Sequence, residues 1–153
     1  MCAELMNEPF AGAVLLDPLL MLPEQADLHN LQPFYDIVSP YVRNTDPDRL
    51  VFFESVTWAD IFENGEFGIG FEHVPGGAQY ANTSVLSFHY YSTPDFSYNG
   101  PKGYLERRVE AASKLGAGSM LTEFNLDGSF DDALDEGYCD DLQISWIGTT
   151  VDC

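Results

Sequence analysis

Two glutamates stand where a pair of carboxylates could cleave a glycosidic bond: Glu8 in Leu5-Met6-Asn7-Glu8-Pro9-Phe10, and Glu123 in Met120-Leu121-Thr122-Glu123-Phe124. Each follows a short apolar run that reads as the end of a strand, and a barrel of parallel strands gathers its strand ends on one rim. Carboxylates about 5 Å apart across such a bond can act as general acid and nucleophile. That chemistry needs Glu8 protonated and Glu123 ionised, so the roles follow from environment rather than residue type.

The elements that must hold them read as serial strand and helix units. Residues 3–7, 50–56, 85–90, 119–123 and 142–147 are short and apolar enough for a parallel sheet covered on both faces. A helix is predicted over Pro33 to Arg43, with Phe34, Ile37, Val38 and Tyr41 at helical spacing and Pro40 expected to kink or shorten it. A second is predicted over Tyr104 to Leu115, with Leu105, Val109, Ala112 and Leu115 as its stripe and Gly116 as its stop. A third, acidic one spans Asp131 to Asp141. The loops 8–32, 57–83 and 91–103 are long, as loops on a catalytic rim are.

Five such strands are too few to close an eight-stranded barrel, which takes about 250 residues. A doubly wound sheet competes, but it would carry a glycine-rich turn after the first strand, where this chain has Glu8-Pro9. Gly65, Gly68 and Gly70 lack the strand-to-helix context of a nucleotide fingerprint and read as loop punctuation.

At 153 residues, with 45% hydrophobic and 14% aromatic content, the chain can bury the core of one domain. Its 25 acidic against 6 basic residues, net −19, would repel nucleic acid and anionic membrane but not a neutral sugar. No apolar run approaches the roughly 20 residues of a membrane span, so stable membrane insertion is not expected. Met1-Cys2-Ala3-Glu4 has no basic region of a signal peptide. Cys2, Cys139 and Cys153 spell no zinc site, and a Cys139–Cys153 bridge is left open. Asp131-Asp132, Asp135-Glu136 and Asp140-Asp141 lack calcium-loop spacing and read as a solvated face. Asn82-Thr83-Ser84 is a glycosylation acceptor if the chain enters the secretory path.

Further segments, taken in order, carry a resemblance. Ser87-Phe88-His89-Tyr90-Tyr91 ends one strand, Leu121-Thr122-Glu123-Phe124 the next, and Ser145-Trp146-Ile147-Gly148 the last. With Asn7-Glu8-Pro9-Phe10-Ala11-Gly12, Phe53-Glu54-Ser55-Val56-Thr57-Trp58, Gly70-Phe71-Glu72-His73-Val74-Pro75-Gly76-Gly77 and Tyr80-Ala81-Asn82-Thr83-Ser84-Val85, the order resembles strands four to eight of the glycoside hydrolase family 5 barrel, and within it the endoglycoceramidases. The resemblance implies an α/β fold, a partial (β/α)8 TIM barrel, with residues 1–153 forming one partial catalytic domain. It implies a retaining enzyme that cleaves oligosaccharide from ceramide, with Glu8 as acid/base and Glu123 as nucleophile. Asn7 would bond the sugar 2-hydroxyl, Tyr91 would donate to Glu123, His89 would share the rim and Trp146 would offer a sugar platform. Neither cofactor nor metal is called for. The substrate would be a glycosphingolipid or other β-glycoside, and the setting secreted or lysosomal.

Simpler roles stand beside these. His89 could be a satisfied core histidine, Trp146 could be core, and Tyr90 should point away from His89 into packing. Glu54 could line the rim or be solvated, while Trp58 and His73 could meet a lipid headgroup, or be a loop-packing aromatic and an exposed histidine respectively. A glucosylceramidase or steryl glucosidase of the same family, and a non-catalytic carbohydrate-binding remnant, are the rival functions. The family's first three strands and its C-terminal β-domain have no counterpart in the chain, so the first strand should form an open edge and the isolated chain is expected to aggregate.

Overall fold

The computed structural model describes residues 2–56, 69–90, 100–124 and 145–146. Five strands form one sheet: β1 (Cys2–Glu4), β2 (Leu50–Glu54), β3 (Ser84–Tyr90), β4 (Gly118–Phe124) and β5 (Ser145–Trp146). They lie side by side in chain order, each parallel to the next. A doubly wound sheet reverses its strand order partway, whereas this unreversed order is that of a barrel wall. Helix α1 (Gln32–Thr45) connects β1 to β2, and α2 (Gly100–Leu115) connects β3 to β4.

Strand alternation divides the sheet into two faces. Val51, Phe53, Leu86, Phe88 and Leu121 are fully buried. Phe53 meets Tyr35 of α1, and Phe88 and Tyr90 meet Tyr104 of α2, which marks this as the helix-covered face. Tyr90 therefore packs away from His89, as alternation requires. The centre of the first layer is the ring cluster Tyr35, Phe53 and Phe71, with centroids 5.5 to 6.3 Å apart. Burying each such side chain contributes about 1.5–3 kcal/mol.

The buried face of α1 differs from the one expected. Ile37 and Tyr41 are exposed and Phe34 borders on it, while Gln32, Tyr35, Ser39 and Arg43 are buried. An apolar stripe does not win here because the inward Gln32 and Arg43 have partners. Gln32 Oε1 accepts from Glu72 N at 3.2 Å. Arg43 donates to Thr83 Oγ1 and Ser84 Oγ, both at 2.8 Å, and lies 4.3 Å from the centre of the Tyr80 ring. Burial holds the Arg43 guanidinium below its usual range, with the nearby Tyr80 opposing the shift. Pro40 neither ends nor shortens the helix, which continues to Thr45. Proline removes a single N–H, and Tyr35, Ser39 and Arg43 anchor the turns on both sides of it.

Other boundaries also move. β1 ends at Glu4 rather than at residue 7, although Leu5 N still donates to Phe52 O at 3.0 Å. β2 ends at Glu54 because the next inward N–H, that of Val56, turns to Asp27 Oδ1 at 2.8 Å. The other carboxylate oxygen of Asp27 accepts from Gly70 N at 3.0 Å. One buried side chain on the π-helical turn Asp27–Leu31 thus ties the chain leaving β2 to the segment that returns at Gly70. Gly70 is more than punctuation: a Cβ there would run into the backbone carbonyl of Glu24. α2 begins at Gly100, four residues before the expected start. It ends as expected at Gly116, with φ +69°, where Gly116 N bonds Ser113 O and Ala117 N bonds Ala112 O. The third helix, Cys139, Cys153, Trp58, Tyr91 and most of residues 142–147 lie outside the described residues.

Candidate active site

The site is built where β1, β2, β3 and β4 end. Glu8 sits just past β1 with φ 45°, a left-handed conformation unusual for a residue with a side chain. The buried Pro9 that follows disfavours the right-handed helical alternative at Glu8. Glu54, the last residue of β2, fastens the turn, its Oε2 accepting from Glu8 N at 2.7 Å. The side chain of Glu8 then reaches His89 on β3, with Oε1 3.0 Å from Nδ1. The same ring nitrogen lies 3.6 Å from Glu54 Oε1.

Glu123 arrives on the far side of that ring, with Oε1 3.5 Å from His89 Nε2. Its position depends on an irregularity. Phe88 pairs with Leu121, but His89 pairs with Glu123, so β4 inserts one extra residue at this point. In a regular ladder His89 would pair with Thr122, and alternation would carry Glu123 to the helix-covered face. The bulge reverses that parity and turns the carboxylate onto the face of His89. Thr122 Oγ1 donates to Phe88 O at 3.4 Å across the irregularity.

The surroundings hold His89 from below and behind. Tyr104 of α2 donates its hydroxyl to His89 O at 2.6 Å, and Arg108 donates to Ser55 Oγ at 3.1 Å just beyond Glu54. Tyr35 donates to Glu54 O at 2.8 Å. Burial, with smaller contributions from Glu54 and other carboxylates, raises the Tyr35 phenol above its ordinary range, against the lowering effect of that hydrogen bond. One layer deeper, Ser87 donates to Glu4 Oε1 at 3.0 Å. His89 and Glu54 are buried, while Glu8 is half-buried and Glu123 exposed. The gradient leaves the two outer carboxylates open to a ligand and the two inner groups as their support.

Glu8, His89 and Glu123 each present one ligating atom within 4.8 Å of the others, a spacing that a metal ion could use. The two ring nitrogens of His89 face different carboxylates, however, and one lone pair cannot point at both. The geometry favours an imidazole spanning the gap over a shared ion. The same measure places a carboxylate oxygen of Glu8 within 4.8 Å of one of Glu123. This closest approach of two oxygens brings the carboxylates to face each other across a narrow gap, as a nucleophile and acid pair would.

The profile of the cellulase family, glycosyl hydrolase family 5, matches residues 1–150. The chain belongs to glycosyl hydrolase family 5. Membership makes the five-stranded sheet part of a (β/α)8 barrel. Two curated relatives are endoglycoceramidases. That of Hydra vulgaris is 44% identical over 147 residues, covering 95% of this chain and 27% of that protein. That of Cyanea nozakii is 43% identical over 152 residues, covering 95% of this chain and 28% of its own length. The chain thus spans about a quarter of the relatives it matches.

Of the residues singled out from sequence, Glu8, His89 and Glu123 converge at the strand ends. Asn7 is exposed beside Glu8 on the same turn. Trp146 lies on β5 with its backbone in register with Leu121, and Tyr91 falls outside the described residues. His73 is held away from the rim cluster. Its Nε2 lies 3.7 Å from Asp36 Oδ2 and its Nδ1 3.3 Å from Gln32 Nε2, so its contacts are with α1. Glu54 is the member that sequence reasoning left undecided. The signal was its place after Val51-Phe52-Phe53, the same strand-end position as the other two glutamates.

Proposed function

We propose that this chain supplies the catalytic carboxylates of a retaining β-glycosidase acting on glycosphingolipids. The observation that carries the reading is the short Glu8 to Glu123 separation across a buried histidine. Glu8 donates its proton to the glycosidic oxygen as the bond to the anomeric carbon breaks, and Glu123 attacks that carbon to form a glycosyl ester. Water then attacks the same carbon, returns a proton to Glu8 and releases Glu123 as a carboxylate. His89 positions both carboxylates, one at each ring nitrogen. Asn7, exposed beside Glu8, bonds the sugar 2-hydroxyl.

A lipid aglycone suits the surface next to the acid. The loop leaving Glu8 exposes Phe10, Leu15, Leu16 and Leu19, an apolar patch that ceramide would cover. The endoglycoceramidase relatives support the same substrate class. Glycosphingolipids of this kind place the enzyme outside the cell or in the lysosome. The exposed Asn82 of Asn82-Thr83-Ser84 suits that route, and among the described residues no helix is long and apolar enough to cross a membrane. Lactosylceramide incubated with the full-length protein should release intact lactose with retained anomeric configuration, and Glu123→Gln should abolish release. Inverted product would refute the carboxylate pairing, and release of single glucose units from glucosylceramide alone would favour a glucosylceramidase.

A further inference from the structure

We propose that Glu54 is a positioning residue that sets the acid/base carboxylate through its backbone; the proposal rests on the reading of Glu8 as the acid. Glu54 touches neither the bond to be broken nor open solvent, its side chain being 3% exposed. A buried carboxylate is costly unless it is bonded, so its acceptors must be used for something. One of its oxygens takes the Glu8 N–H at 2.7 Å and the other faces His89 Nδ1 at 3.6 Å. The Glu8 bond is the informative one, because it is made at the residue whose φ of 45° is strained for a residue with a side chain. At 2.7 Å the acceptor reaches Glu8 N directly, so it is the reach of the Glu54 side chain that keeps the turn closed.

The consequence is directional. In the left-handed turn, the side chain of Glu8 leaves the backbone toward His89, which it meets at 3.0 Å, and toward Glu123 beyond. If the turn relaxed, Glu8 would move relative to the glycosidic oxygen while Glu123, carried by the bulge in β4, would stay in place. Nucleophilic attack would survive and protonation of the leaving group would not. Tyr35, donating to Glu54 O at 2.8 Å, and Arg108, donating to Ser55 Oγ at 3.1 Å, brace the strand end from which Glu54 works.

The test separates reach from charge, and acid assistance from general damage. Glu54→Asp keeps the charge but withdraws the acceptor by one methylene, whereas Glu54→Gln keeps the reach and gives up the charge. Both are assayed in the full-length protein beside Glu8→Ala, with lactosylceramide, whose alkoxide needs protonation, and with 2,4-dinitrophenyl β-lactoside, whose leaving group does not. Misplacing a catalytic group by about 1 Å costs about 100-fold. Glu54→Asp is therefore expected to lose about 100-fold in kcat/KM on lactosylceramide while keeping that on the aryl glycoside. Its slow second step should be rescued by azide, and Glu54→Gln should stay near wild type on both substrates. An equal loss on both substrates in Glu54→Asp, or a loss in Glu54→Gln as large as that in Glu54→Asp, would overturn the proposal. If Glu8→Ala itself loses both activities equally, the assignment of Glu8 as acid fails first, which distinguishes the two failures.

Discussion

Replacing Tyr35 by phenylalanine should alter stability in a way that reverses with pH. The phenol is buried and donates to Glu54 O at 2.8 Å, so its loss removes one hydrogen bond and leaves a carbonyl without that donor. Near neutral pH the cost should be about 1 kcal/mol. Burial raises the folded-state pKa of Tyr35 above the ordinary 10.0. A group with a raised folded pKa contributes its stability below the unfolded value and loses it as pH rises above that value. The unfolded chain releases the proton there while the folded chain keeps it. At pH 11 this linkage removes about 1.4 kcal/mol from the wild type, and each further unit removes about as much again until the folded-state pKa is approached. Tyr35→Phe has no such proton to lose. The two stability curves should therefore cross at roughly pH 10.6, with the variant less stable below and more stable above. Urea unfolding of both full-length proteins between pH 8 and pH 11.5 measures the difference. A difference that stays constant across this range would mean that Tyr35 is not held protonated, and the burial argument would be wrong.

Other outcomes follow from the same packing. Asp27→Ala orphans two N–H groups, those of Val56 and Gly70, and should cost about 2–5 kcal/mol in chemical denaturation, with little relief from Asp27→Asn, which can accept only one bond well. Gly70→Ala forces a methyl group into the Glu24 carbonyl and should lower stability by about 1–3 kcal/mol, whereas Gly118→Ala, with neighbours no nearer than 3.7 Å, should be close to neutral in the same chemical denaturation. Glu110→Gln, which breaks an exposed pair with Lys114 at 2.8 Å on α2, should leave the melting temperature almost unchanged.

Much of the barrel wall was legible because parallel strands buried on both faces read as short apolar runs, and Gly116 marked the end of α2. The ends of those runs also located Glu8 and Glu123. What the sequence could not show depended on partners distant in the chain. The insertion in β4 exists only relative to β3, so nothing in Leu121-Thr122-Glu123 reveals which of Thr122 and Glu123 will face His89. Glu54 was ambiguous because its local pattern suits a rim or a solvated loop, and only the turn at Glu8 supplies the N–H that selects it. Asp27 lies in a long loop whose composition gives no hint that both its oxygens are committed elsewhere. The face of α1 was misjudged because Phe34, Ile37 and Tyr41 outweigh Gln32, Ser39 and Arg43 on any hydropathy pattern. The hydrogen-bond partners of Gln32 and Arg43 are about 40 residues away in the chain.

The most direct test of the account is to trap the covalent intermediate. A 2-deoxy-2-fluoro β-lactoside with an activated leaving group slows hydrolysis of the glycosyl ester, and peptide mass spectrometry of the inactivated full-length protein then locates the sugar. The account predicts a single label on Glu123, with labelling abolished in Glu123→Gln and retained in Glu8→Ala. A label on Glu8 or Glu54, or steady hydrolysis of lactosylceramide with no trapped ester, would contradict it.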